Sequence, residues 1–177
     1  MQGDKKLGTV QIYTGNGKGK TTAALGLCLR NLGHNHKVFV LQFMKGSERY
    51  GEFKMSKKLE GLEVKQIGRD EFVKREDPDP RDVELAREGY EIAKEKVQSG
   101  EYDLIVLDEI IIAVDFGLIE LGELKELIKN KPKELELVLT GRYAHKDIID
   151  MADLVTEVKD VKHHFDNGVE ARQGVEY

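Results

Sequence analysis

The chain has little of what would mark it for an unusual environment. Its 177 residues include one cysteine, no tryptophan and three prolines. A single cysteine cannot close an intramolecular disulfide, which excludes a disulfide-stapled scaffold and points to a reducing, cytoplasmic compartment. No apolar run approaches the ~18 residues that would cross a bilayer, and residues 1–6 have no apolar stretch behind them as a secretory signal would. An excess of positive charge is also missing: 28 Lys plus Arg stand against 33 Asp plus Glu, a formal charge of −5. That balance disfavours nucleic acid and membrane surfaces as partners. What is present is 40% hydrophobic residues in a length that suits one domain spanning residues 1–177. Such a length buries about two-thirds of the extended chain's surface around one core.

Short β-branched apolar runs alternate with helical patterns, which predicts an α/β fold: a mostly parallel sheet with flanking helices in three layers. Strands are expected over residues 8–14, 37–44, 62–67, 103–107, 135–139 and 154–158. The run Asp103-Leu104-Ile105-Val106-Leu107 is nearly all apolar, as a central strand covered on both faces should be. Helices are expected over residues 20–32, ended by Gly33, and from Asp79 as cap with Pro80 in the first turn to a stop at Gly100. In the second of these, Val83, Ala86, Tyr90, Ala93 and Val97 form one apolar face. Further helices are expected over residues 121–130 and 146–151. The charged stretch 68–80 reads as a mobile surface segment, an arm of residues 1–7 precedes the first strand, and residues 159–177 read as a surface extension.

The sharpest signal is Thr14-Gly15-Asn16-Gly17-Lys18-Gly19-Lys20-Thr21-Thr22, set between an apolar strand and an alanine-rich helix. Glycines let consecutive backbone N–H groups turn inward, and the helix start adds positive dipole. Lys20 supplies a mobile charge, and the Thr21 hydroxyl can ligate Mg²⁺. The usual phosphate-loop spacing requires glycine where Thr14 stands, so the loop from Gly15 is one residue short. Asp108-Glu109 ends the most apolar strand, where a carboxylate can hold a metal that bridges phosphates. Thr140-Gly141-Arg142 brings a guanidinium to the same edge. Cys28 reads as a small core residue and His163-His164 as no zinc site. Asn130-Lys131-Pro132-Lys133 has lysine where guanine recognition needs aspartate, which argues against a GTPase.

With these residues in place, the chain resembles the P-loop type of ATP:corrinoid adenosyltransferase, also called cob(I)alamin or cob(I)yrinic acid a,c-diamide adenosyltransferase. The short loop from Gly15 to Ala24 resembles that family's signature. So do Gln42-Phe43-Met44-Lys45-Gly46, Val106-Leu107-Asp108-Glu109, Thr140-Gly141-Arg142 with His145, and residues 147–153. The most distinctive match is Val161-Lys162-His163-His164-Phe165-Asp166-Asn167-Gly168-Val169, followed by Ala171 and Gly174. In that family Co(I) of a reduced corrinoid attacks C5′ of ATP and the whole triphosphate leaves, in adenosylcobalamin biosynthesis or salvage. The family is described as holding ATP reversed in the loop relative to kinases.

The resemblance implies roles residue by residue. Gly15, Asn16, Gly17, Lys18, Gly19, Lys20, Thr21 and Thr22 would bind triphosphate. Thr21 and Glu109 would hold Mg²⁺ (or Mn²⁺), with Asp108 supporting that shell, and Lys20, Glu109 and Arg142 form the catalytic set. Family members use aromatic side chains to displace the corrinoid's lower ligand; some carry a Phe and a Trp after the third strand. Here that segment reads Gly68-Arg69-Asp70-Glu71-Phe72-Val73, which leaves Phe72 as the candidate. Longer relatives have an N-terminal helix that closes over the site, whereas seven residues precede the first strand here. The implied partners are ATP, a corrinoid, an electron donor such as a flavoprotein, and a second copy of the chain. The alternatives carried from the residues are a P-loop kinase or ATPase, and a nonenzymatic ATP- or corrinoid-binding module.

Overall fold

A computed structural model describes residues 7–71 and 73–177. Six strands form one sheet: β1 (Val10–Thr14), β2 (Val38–Phe43), β3 (Leu62–Ile67), β4 (Leu104–Asp108), β5 (Glu136–Thr140) and β6 (Leu154–Glu157). Their order is β3-β2-β4-β5-β1-β6, and every pairing is parallel. The helices are α1 (Lys20–Leu32), α2 (Gly51–Ser56), α3 (Pro80–Ser99), α4 (Ile110–Asp115), α5 (Leu121–Lys129) and α6 (Lys146–Met151), with a 3₁₀ turn at His164–Asn167.

The order explains which helix lies on which face. From β1 to β2 to β3 the chain steps one way along the sheet, and from β3 through β4 and β5 to β6 it steps the other way. Right-handed crossovers therefore send α1 and α2 to one face and α3 to α6 to the opposite one. The buried side chains divide accordingly. Val38, Val40, Leu104, Val106 and Val138 pack with Ala24 and Cys28 of α1. Phe39, Leu41, Phe43, Ile105, Leu107, Leu137 and Leu139 pack with Tyr90, Ala93, Ile110, Leu124 and Ile148.

Several local readings are realised in detail. Asp79 accepts from the Arg81 N–H at 2.8 Å with Pro80 opening α3, and Gly100 ends it in the left-handed region at φ 69°. Gly33 does cap α1, but with φ −61°; the left-handed position of that turn is taken by Asn35 at φ 59°. Two six-residue helices, α2 and α4, stand outside the expected elements. β6 runs along the sheet edge with all four residues exposed. The segment after β3 is anchored: Arg69 Nε and Nη2 donate to the two oxygens of Asp82, both at 2.8 Å, while Val73 packs against the core. Residues 1–6 of the expected arm lie outside the described residues.

Candidate functional site

Period-two alternation decides where the acidic pair goes. Leu104 and Val106 face α1, so Asp108, two residues on, points to the same face, beneath the start of α1 where Thr21 stands. Gln42 on β2 and Thr140 on β5 fall on that face by the same count. The result is a hub around one carboxylate. Asp108 Oδ1 accepts from the Thr21 hydroxyl at 2.8 Å and the Thr140 hydroxyl at 2.7 Å. Its Oδ2 accepts from Lys45 Nζ at 2.8 Å and Gln42 Nε2 at 3.1 Å. Asp108 is fully buried and four donors saturate it. Burial alone would raise its pKa, but the Lys45 charge and the hydrogen bonds outweigh that and hold it below the ordinary value. Burial likewise opposes the charge on Lys45, and Asp108 reverses the effect, so its pKa is raised.

Glu109 differs from its neighbour in each respect. Its backbone is left-handed at φ 63°, and its N–H donates to the Thr140 hydroxyl at 2.9 Å. No described residue bonds its carboxylate directly. Burial and the adjacent Asp108 charge push its pKa up, against the pull of Lys45, Lys20 and Arg142. Met44 and Tyr143 are also left-handed, at φ 55° and 61°. These three strained residues follow the carboxyl ends of β2, β4 and β5, the edge at which open α/β sheets bind ligands.

The phosphate loop is built against the end of β6. Gly15 has φ 95°, and a Cβ on Gly17 would lie 2.5 Å from the Lys159 carbonyl oxygen. The Gly17 N–H donates to the Val158 carbonyl at 2.8 Å, and the Val158 N–H to that of Thr14 at 2.8 Å. Within the loop, Lys20 Nζ donates to the carbonyls of Gly15 at 2.8 Å and Gly17 at 2.7 Å, and burial lowers its pKa. Gly141, at φ 142°, lets the chain pass against α4: a Cβ there would sit 2.8 Å from the Ile111 Cβ and the Ile112 nitrogen. Arg142 thereby reaches the same edge as the loop.

Two cavities open at this edge. The first, about 580 Å³, is lined by Asn16, Gly17, Lys18, Gly19, Lys20, Thr21 and Thr22, with Glu109 and Arg142 opposite. The second, about 570 Å³, lies beside it among Phe43, Met44, Arg49, Val73, Phe116 and Tyr143. Lys45, Tyr50, Glu109 and Arg142 line both and form their common wall. Lys20, Glu109 and Arg142 are thus brought together as expected. Gly15 and Asp108 stand behind the lining, and Phe72 lies outside the described residues.

The extension 159–177 is largely exposed, as expected, yet it also supplies a wall of the first cavity through His163 and Gly174, Val175, Glu176 and Tyr177. Glu176 meets Lys18 Nζ at 3.2 Å and Arg172 Nη2 at 3.2 Å. Sequence reasoning assigned no role to Gln42, Lys45, Tyr50 or Tyr177. For Gln42 a signal existed: one amide within the buried run Val-Phe-Val-Leu-Gln-Phe requires a partner.

Hard oxygen donors suit Mg²⁺, and this edge offers the Thr21 hydroxyl and the unengaged Glu109 carboxylate. Among the described residues no cluster of three or more His, Cys, Asp or Glu could hold a metal alone. An ion that keeps waters and phosphate oxygens fits such a sparse set better than an all-protein cage.

Comparison with known proteins agrees with the geometry. The family model for ATP:corrinoid adenosyltransferase BtuR/CobO/CobP matches residues 6–177. The chain is 36% identical over 176 residues to the corrinoid adenosyltransferase of Escherichia coli K12, covering 99% of this chain and 89% of that protein. It is 38% identical over 173 residues to the corrinoid adenosyltransferase of a Sinorhizobium species, covering 96% and 80%. The corrinoid adenosyltransferase of Pseudomonas aeruginosa is 35% identical over 170 residues, covering 96% and 84%. The chain therefore belongs to the ATP:corrinoid adenosyltransferase family.

Proposed function

We propose that the adenosyl group crosses the wall shared by the two cavities, from ATP in the first to the corrinoid in the second. The observation that carries this reading is the shared lining of Lys45, Tyr50, Glu109 and Arg142. In the reaction, the Co(I) electron pair of the corrinoid forms the Co–C5′ bond. The C5′–O5′ bond breaks, its electrons go to the α-phosphate oxygen, and triphosphate departs while cobalt becomes formally Co(III). No proton is removed, so no general base is needed. Kinase or ATPase activity, and a nonenzymatic binding role, are disfavoured by the family.

The residue roles follow from charge. Gly15, Asn16, Gly17, Lys18, Gly19, Lys20, Thr21 and Thr22 hold the triphosphate. Lys20 exchanges its loop carbonyls for phosphate oxygens, and its lowered pKa reflects a cation that gains by acquiring anions. Thr21 and Glu109 hold Mg²⁺ or Mn²⁺, which when bound neutralises charge on the phosphates. Asp108 acts from behind by fixing Thr21, Lys45 and Thr140. Arg142 meets charge developing on the leaving group, where preorganised donors lower the barrier most.

Residues 1–177 act as one catalytic domain in this reading. The corrinoid arrives reduced by a separate electron donor such as a flavoprotein, and a second copy of the chain completes a homodimer. A cytoplasmic location accords with the single cysteine; no helix among the described residues is long and apolar enough to cross a membrane. Substitution tests the site. Lys20→Ala and Glu109→Ala should each lower turnover by at least about 100-fold. Calorimetric titration of Mg·ATP should show binding weakened by Lys20→Ala. A near-normal turnover in either variant removes that residue from its role.

A further inference from the structure

The phosphate loop explains how a triphosphate is held but not how the nucleoside is. Beyond the loop and the wall shared with the second cavity, the first cavity is lined by Leu25, Gly51, Glu52, His163 and the turn Gly174-Val175-Glu176-Tyr177, with Tyr50 of the shared wall beside them. A purine is held by a flat face, since stacking on aromatic rings is the contact every base can make. Among the described residues three rings line this cavity. His163 is stacked on His164 with centroids 4.5 Å apart. Tyr50 has two cations against its ring, Lys45 at 5.3 Å and Arg49 at 5.6 Å. Tyr177 has one, Arg49 at 5.2 Å.

The turn that presents Tyr177 is fixed from within. The Gly174 N–H donates to the Tyr177 carbonyl at 2.8 Å, with Gly174 left-handed at φ 78°. Glu176 accepts from the Arg172 N–H at 2.7 Å and bonds its guanidinium as well. Lys18 ties the turn to the phosphate loop, reaching the Val175 carbonyl at 3.4 Å and Glu176 at 3.2 Å. Arg49 lines the second cavity while its guanidinium lies over Tyr50 and Tyr177 of the first.

We propose that Tyr177, held against Arg49 and tethered to the loop through Lys18, is the stacking platform for the purine base of ATP and a specificity-determining residue for the nucleoside. The inference rests on the function proposed above. With triphosphate on the loop and base on Tyr177, the intervening ribose is held at both ends and C5′ is directed to the wall shared with the corrinoid cavity. Arg49 then senses both substrates, through the ring on one side and the second cavity on the other.

The test uses the full chain, with calorimetric titration of Mg·ATP, Mg·CTP and inorganic triphosphate into wild type, Tyr177→Ala and Tyr177→Phe. Removing the ring should weaken ATP by about tenfold or more, the loss expected for one base–aromatic stack, and leave inorganic triphosphate nearly unchanged. The preference for ATP over CTP should shrink in Tyr177→Ala, and Tyr177→Phe should bind as wild type. Equal ATP affinity in wild type and Tyr177→Ala overturns this inference alone. Parallel loss of ATP and inorganic triphosphate overturns it too, because the ring would then act only through Lys18 and the loop. A wild-type chain that binds triphosphate but no ATP would sink the proposed function and this inference together.

Discussion

The hub around Asp108 makes a prediction that separates architecture from chemistry. Asp108→Asn preserves the shape of the side chain and removes its charge. The amide oxygen can face Lys45 and Gln42, while its NH₂ faces Thr21 and Thr140, whose hydroxyls can accept instead of donate. Hydrogen bonds are thus largely kept, and what is lost is the anion opposite Lys45. The side chains of the pair are 17% and 0% exposed, so solvent does little to replace it. Breaking a buried pair from one side costs about 3–5 kcal/mol, and with its bonds kept Asp108→Asn belongs near ~3. A loss of that size lowers the melting temperature of a chain this long by roughly 6–12 °C.

The pH dependence gives an independent signature of the same pair. The Asp108 pKa is depressed from its ordinary 3.8, so its contribution is present above that value and is lost as pH falls through the folded pKa. The Lys45 pKa is raised from 10.5, so its contribution is present below that value and lost as pH rises through the folded pKa. Urea denaturation followed by circular dichroism should show a plateau between these limits for wild type, lowered in Asp108→Asn. The double-mutant cycle with Lys45→Met should show a coupling of at least about 1–2 kcal/mol. Additive single losses, or an Asp108→Asn loss below about 1 kcal/mol, would refute the buried-pair argument.

Three further outcomes follow from other parts of the molecule. Gly141→Ala should cost at least about 2 kcal/mol and lower turnover, because φ 142° and the approach to Ile111 and Ile112 leave no room for a Cβ; a neutral melting temperature contradicts this. The Cys28 thiol, pushed up to about 12 by burial, should resist thiol reagents in the native protein and react on unfolding; rapid native labelling would show that the face under α1 opens. Arg172 pulls the Glu176 pKa down to about 2 from 4.5, so the 172–176 contact persists above 4.5 and is lost as pH falls towards 2. A carboxyl NMR titration near 4.5 would mean that the turn beside the phosphate loop does not form.

Much of the fold was legible because its signals are local. The buried runs of β2, β4 and β5 announce parallel strands, and Asp79-Pro80 and Gly100 mark both ends of α3. That the loop after Gly15, Glu109 and Arg142 meet at one edge of the sheet was legible because each sits just beyond a strand. The remainder depends on contacts distant in sequence. Asp108 reads as a metal ligand when taken alone, yet donors from α1, β2, β5 and the loop after β2 occupy it, and that arrangement exists only once four segments converge. Tyr177 is 159 positions from Lys18, and nothing along the chain relates them until the segment after β6 folds back along the phosphate loop. Gly17 illustrates the same limit: it reads as part of a phosphate cradle, and it also admits the Lys159 carbonyl behind it.

The central claim is that C5′ crosses the wall between the cavities with the whole triphosphate as leaving group. Its most direct measurement is an anaerobic single turnover of the wild-type chain with Mg·ATP and chemically reduced cobalamin or an incomplete corrinoid. The Co(I) absorption band and the phosphorus products are followed together. The band should convert to that of the adenosylcorrinoid while one inorganic triphosphate appears per cobalt alkylated. Pyrophosphate or ADP as the product, or loss of the band without triphosphate, would contradict it.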